Sequence, residues 1–317
     1  MAQKRVVIIG GGTGLSNIVK GLKSLPIKIT AVVTVSDNGS STGKLRKEFS
    51  IPAVGDIRKV LTYLSNLPKD ISTLMEYRLK SKSDLNGHAI GNLLLTCLLE
   101  EHKSLKKSIK ELSRLLHVKH TVLPVSEDYL TLCGQTIDGE IIEGEEEITK
   151  ARKKYERIFY KEEPNVCPEV ITEINRADLI ILSAGSLLTS LIPNITCKDV
   201  ANAIQNSKAK VMYICNAFTQ PGESDSYTVN DHVKTISKYI GENTIDVVIA
   251  NNGKYDDKYL EKYRNEEHKE LVKIDYENIE KAGYQLIEDA LLTDVDGTLK
   301  HDSLKLSATI FSYLMQQ

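Results

Sequence analysis

The sequence predicts an α/β fold: a doubly wound, mostly parallel Rossmann-like sheet with helices on both faces and an inserted β-hairpin. Three observations predict it. Short β-branched apolar runs recur along the chain, helical patterns separate them, and glycine- or hydroxyl-rich loops follow them. Runs that are apolar on both sides suit a parallel sheet covered on both faces, because each parallel connection must return over a helix.

The six runs span residues 6–9, 29–35, 121–125, 179–182, 211–215 and 245–250. Among the helical patterns, 91–100 is apolar nearly all round and is expected to be buried, while 229–240 keeps its polar residues on one face. Between 130 and 148 the rhythm changes to two alternating stretches around Asp138-Gly139, the signal of a type I′ hairpin. The stretch that follows, 145–161, alternates Lys and Glu and suits an exposed helix whose charges are a solvated face. No repeat, linker or low-complexity tract interrupts the chain, so 1–317 reads as one α/β domain with an appendage at about 128–165.

Composition narrows the function. With 317 residues, 41% of them hydrophobic and 26% charged, the chain has material for one large α/β domain or two small ones. A net charge of -2 gives no long-range field for nucleic acid or anionic lipid, so any anion must be gripped locally. The five cysteines stand singly, without CxxC spacing, and are expected to be buried thiols in a reducing compartment and not metal ligands. The N-terminus enters a strand pattern directly and no apolar run nears the roughly 18 residues of a membrane helix. The expectation is a cytoplasmic protein with no membrane insertion.

In an open parallel sheet, ligands sit beyond the carboxyl ends of the strands, where connections diverge. After the first run come Gly10, Gly11, Gly12, Thr13, Gly14 and Leu15, four glycines in five residues leading into a helix. That is a phosphate-binding pattern, yet Leu15 occupies the third glycine position of the dinucleotide fingerprint, which weakens an NAD reading. A plain strand-to-helix turn would need only one or two glycines. After the second run stands VSDNGSSTGKLR, residues 35–46. It misses the P-loop spacing, since Gly39 and Gly43 enclose three residues and Leu45 follows the lysine. What remains is a loop whose Ser40, Ser41 and Thr42 would cradle phosphate, with Lys44 and Arg46 as counter-charges. Asp37, beside Asn38, would meet a ribose, a base or a metal, or simply cap its own loop.

Further along, Asp56 stands where the helix after Pro52 wants an N-cap, and Arg58 lies one turn inside, able to face the crevice. His88 and Asn92 flank another glycine-punctuated helix entry; a lone histidine is more often structural than catalytic. Gly185 and Ser186 repeat the strand, glycine, hydroxyl, helix pattern, and Asn216, Thr219 and Gln220 follow the fifth run. Polar, small loops after successive strands imply a large polar ligand carrying phosphate and sugar or base parts. No Ser/His/Asp or Cys/His constellation is readable.

Taken in order, residues 10–15, VSDNGSSTGKLR, PAVGDIRKVL, GHAIGNLLL, SAGSLLTSLIPN and NAFTQPGESDSYTVNDHVKTI resemble the YvcK family, the so-called gluconeogenesis factors, related to the CofD 2-phospho-L-lactate transferases. The resemblance implies a nucleotide-diphosphate ligand at the carboxyl edge of the sheet and a homodimer. It also implies a role in growth on gluconeogenic carbon sources and in cell shape, through binding of UDP-sugars such as UDP-N-acetylglucosamine. CofD relatives instead transfer a phospholactyl group from a guanosine diphosphate donor, with magnesium.

The transferase pattern has paired acids where this chain has Asp37-Asn38, and an Asp-x-Asp where it has Asp56-Ile57-Arg58. Each keeps one carboxylate and loses the other, which favours binding over metal-assisted transfer; Asp37 and Asp56 remain the catalytic candidates if transfer occurs. The YvcK resemblance also implies sugar-nucleotide contact for Tyr263 and for Lys300, the latter with Lys in place of Arg. A third reading is an NAD-binding sensor. No pattern identifies a protein effector.

Overall fold

The structure, a computed structural model, describes residues 3–317. Its strands are β1 (Arg5–Gly10), β2 (Lys28–Val33), β3 (Thr121–Pro124), β4 (Leu132–Thr136), β5 (Ile141–Glu143), β6 (Tyr155–Tyr160), β7 (Leu179–Leu182), β8 (Lys210–Ile214), β9 (Val247–Asn251), β10 (Gln285–Asp289), β11 (Leu292–Val295) and β12 (Thr298–His301). The central sheet holds seven of them, in the order β10-β9-β8-β7-β1-β2-β3, all parallel. The six apolar runs became six of these strands. The seventh, β10, pairs in register with β9 at the sheet edge but alternates half-buried and exposed residues, so it offered no continuous apolar run.

The helices are α1 (Gly12–Leu22), α2 (Ser40–Phe49), α3 (Gly55–Leu64), α4 (Lys69–Glu76), α5 (Ile90–His102), α6 (Leu105–Leu115), α7 (Glu145–Ala151), α8 (Pro168–Asn175), α9 (Ile192–Ile195), α10 (Lys198–Gln205), α11 (Val229–Ile240), α12 (Asp257–Lys262), α13 (Tyr276–Ala282) and α14 (Ser303–Gln316). Apolar side chains of both helical layers join the strands in one core, with Ile8, Ile9, Leu15, Leu182 and Val248 fully buried. The chain runs from β1 outward to β2 and β3, then returns to the other side of β1 at β7. That reversal between β1 and β7 is where the sheet opens a crevice.

Three expectations are corrected. The segment 145–161 is not one exposed helix: α7 takes seven residues, and the rest is largely β6, which pairs antiparallel with β4 and buries Ile158 and Tyr160. The Lys/Glu rhythm concealed a strand whose apolar residues alternate. The β4–β5 connection is not type I′, because only Gly139 of its Asp-Gly pair has positive φ (86°), closing a turn in which its N–H bonds the Thr136 carbonyl at 2.9 Å. Finally, four cysteines are buried but Cys97 is exposed, on the solvent side of α5.

Candidate functional site

The glycines after β1 serve the turn itself. A Cβ on Gly10 would collide with Ser183 Oγ, one on Gly11 would lie 2.6 Å from Asp56 Oδ2, and one on Gly14 would strike the Ala184 carbonyl. Gly12 adopts φ 59°, the left-handed region. The turn therefore has a use for all four glycines, three for close packing and Gly12 for its positive φ. Leu15, by contrast, is a fully buried anchor for α1.

Beside this turn lies an open cavity of about 1180 Å³. One wall is a face of α1, with Thr13, Gly14, Asn17 and Lys20; a second is the β7 end, with Ala184, Gly185 and Ser186. Asn216, Phe218 and Gln220 after β8, the end of α7, and the β11–β12 hairpin complete it. The hairpin reaches the cavity because α14 packs on α1, with Ser303 and Ser307 occupying the space a Gly21 side chain would need. Cations ring the cavity: Lys20, Lys150, Arg152, Lys269 and Lys300, from several elements. Leu292, Val295 and Leu299 supply an apolar side.

The polar residues of the walls are held firmly. The Asn216 side chain donates to the Gly185 carbonyl (2.6 Å) and accepts from the Gly185 N–H (3.4 Å). Glu223, buried, accepts from Ser186 Oγ (2.6 Å), Gln220 Nε2 (2.6 Å) and the Leu188 N–H (3.1 Å), satisfying the start of the π-helical turn Leu187–Leu191. Burial raises the Glu223 carboxyl above its usual range. Tyr263 lies behind the wall: its ring stacks on Phe218 at 4.4 Å and its hydroxyl accepts from the Leu299 N–H at 2.8 Å. Thr219, also behind, pairs with Glu270 through backbone and hydroxyl. After Lys300, His301 is lowered to about 4 by burial and so is a neutral imidazole, and Asp302 caps α14.

The other expected residues do not line the cavity. The stretch 39–44 is not a loop: α2 begins at Ser40, with Ser41 and Thr42 buried and Ser40 and Lys44 exposed. Arg46 does not face phosphate; buried, it donates to the Ser36 (2.9 Å), Asp37 (3.0 Å) and Leu130 (2.6 Å) carbonyls. Ser41, His88, Asn92, Arg58 and Glu76 form a continuous network, with Arg58 donating to Asn92 (3.1 Å) and pairing with Glu76 at 2.8 Å. Arg58 is thus engaged inside the protein. Asp56 is not an N-cap, since Val54 holds that position; its carboxyl instead fills the gap above Gly11.

Asp37 accepts from the Gly39 N–H at 2.9 Å, closing its own turn. Burial first, and Asp37 second, push Asp56 up to about 6. Across from them sits Glu145, the first residue of α7, pushed up to about 7 by burial and by Asp37, with the Thr189 hydroxyl as a hydrogen-bond partner. Asn38 ties α7 down, donating to Glu147 (2.8 Å) and accepting from the Glu146 N–H (2.8 Å). Among the described residues no group of three or more His, Cys, Asp or Glu is arranged to hold a metal ion. Sequence reasoning missed Glu145 and Arg152, and noted Glu223 only as one of two acids beyond the fifth run; the acidic and basic ends of 145–154 were a signal, but they read equally well as a solvated face.

The model of the family described as 2-phospho-L-lactate transferase CofD matches residues 6–292. The chain belongs to the CofD family. Within it, the chain is 38% identical to a gluconeogenesis factor of Halalkalibacterium halodurans over 98% of its own length and 96% of the relative's. It is 36% identical to the gluconeogenesis factor of Bacillus subtilis over the whole of both chains. A crystal structure of a Bacillus halodurans protein superposes with a TM-score of 0.95 at 38% identity, covering 98% of this chain and all of that one. The family fold is thus the one built here, and the gluconeogenesis factors are its full-length relatives. No helix is long and apolar enough to cross a membrane, among the described residues.

Proposed function

We propose that this protein is a regulator that binds a nucleotide sugar of the UDP-N-acetylglucosamine type, and through it adjusts carbon-source-dependent growth and cell shape. The observation that carries the reading is the composition of the cavity between the β1 and β7 ends. A helix N-terminus with Thr13 and Gly14, a ring of five cations, fixed amides at Asn216 and Gln220 and an apolar side with Phe218 suit diphosphate, sugar and base in one continuous ligand. The diphosphate belongs at Thr13 and Gly14, not at residues 39–44, whose polar side chains are turned inward or lie outside the cavity. Lys300 would face the ligand, and Tyr263 would hold Phe218 in place behind it.

A transferase reading keeps support from one feature, the adjacent Asp37 and Asp56 carboxylates, to which a guanosine diphosphate donor and magnesium would have to be brought. Titration calorimetry with UDP-N-acetylglucosamine, NAD and GDP, each with and without magnesium, separates the readings. Metal-independent binding of the UDP-sugar alone is the expected result. Magnesium-dependent preference for GDP would transfer the assignment to the enzyme, and preference for NAD would make the cavity a dinucleotide sensor. A homodimer, implied by resemblance, is checked by light scattering of the same samples.

A further inference from the structure

We infer that the inserted segment α7 is a fixed strap across the cavity that supplies Arg152 as a phosphate-binding residue, so that affinity depends on the ligand's diphosphate; this rests on the assignment of the cavity to a phosphate-bearing nucleotide. Thr149, Lys150 and Arg152 line the same cavity as Thr13, Gly14 and Lys20. Lys150 is neutralised by Glu146 at 2.8 Å, and Lys153 is paired with Glu140. Arg152 has neither an ion pair nor a hydrogen bond among the described residues, although acidic side chains crowd its own segment.

The backbone shows that this placement is imposed. Arg152 is held in the left-handed region at φ 48° and ψ 40°, a conformation disfavoured for a non-glycine residue. It packs against Gly222, itself at φ 82°, and a Cβ on Gly222 would lie 2.5 Å from Arg152 Cα. Arg152 and Gly222, 70 positions apart in the sequence, thus meet where α7 ends. The rest of the strap is fastened independently: Asn38 holds its first turn with both amide atoms, the Tyr155 hydroxyl donates to the Ile148 carbonyl at 2.8 Å, and Ile148 is buried. A guanidinium presented without a partner, on a strap that needs no ordering, is suited to a bidentate grip on phosphate oxygens.

The test titrates wild type, Arg152→Ala, Arg152→Lys and Lys153→Ala with UDP, UMP, uridine and inorganic pyrophosphate. The expected result is that Arg152→Ala weakens UDP and pyrophosphate by about tenfold or more, UMP less and uridine not at all, as loss of a charge-assisted pair requires. Arg152→Lys recovers only part, and Lys153→Ala matches wild type. Circular dichroism of each variant establishes that the fold is retained. If wild type takes pyrophosphate in an Arg152-dependent way but no uridine compound, the strap stands and the uridine reading fails. If UDP and pyrophosphate bind Arg152→Ala as they bind wild type, or bind neither protein, the inference is overturned.

Discussion

To one side of the α1 N-terminus the edge of the sheet opens into a cavity; to the other it is filled by the protein's own side chains. Both sides follow the same local recipe, a parallel strand, a small polar turn and a helix. They differ in what answers the polar groups. At residues 37–46 and 88–92 the hydroxyls, amides and guanidinia bond one another, in the Ser41–His88–Asn92–Arg58–Glu76 network and the three carbonyls around Arg46. Around the cavity the wall amides and hydroxyls are fixed from behind, Gly185 by Asn216 and Ser186 and Gln220 by Glu223, but three of the five cations, Lys20, Arg152 and Lys300, have no ion pair among the described residues. A polar motif marks a ligand site only where its partners are missing.

The comparison breaks most severely at Gly14, the residue shared by turn and cavity. Gly14→Ala sets a methyl against the Ala184 carbonyl, a backbone group that cannot swing aside, and is expected to cost about 3 kcal/mol in urea denaturation. A neutral outcome would show that the α1–β7 contact is looser than described. On the filled side, Arg58→Ala leaves Glu76 and Asn92 unanswered and should cost about 2 kcal/mol, moderated because the Glu76 side chain is 40% exposed. Its affinity for UDP-N-acetylglucosamine, measured on folded protein, should equal that of wild type. A loss of affinity would join the two halves into one site.

The smallest effect is the one with a pH signature. Glu145 has its carboxyl raised from 4.5 to about 7 in the folded protein, facing Asp37, Asp56 and Glu223. As pH rises from about 4.5 to 7 the unfolded chain ionises this group while the folded protein retains the proton, so stability is lost across that window. Glu145→Gln removes the titration and should raise stability at pH 8 by about 1 kcal/mol, with little change at pH 4. Thermal unfolding across that range checks it, and parallel curves for the two proteins would contradict it.

Much of this could be read from the sequence because parallel strands declare themselves. The runs in β1, β2, β7 and β9 are apolar on both faces, whereas β10 and β6, with one side exposed, carry charges that hide them. The site was legible only in part. Thr13, Gly14, Gly185, Ser186, Asn216 and Gln220, read as residues after strand ends, line the cavity, as does Lys300, which the family resemblance implied. Arg46 and Arg58 serve the protein's own oxygens because a guanidinium can answer a phosphate, a carbonyl or a carboxylate equally well, and only long-range packing decides which. Arg152 was missed because its role depends on Gly222, 70 positions away.

The most direct test of the account places one lysine from each half side by side. Calorimetric titration of UDP-N-acetylglucosamine into Lys300→Ala and Lys44→Ala should show affinity reduced about tenfold for the first and unchanged for the second, since Lys300 lines the cavity and Lys44 lies outside it. Loss at Lys44 with wild-type affinity at Lys300 would put the ligand on α2 and contradict the division of the sheet edge drawn here.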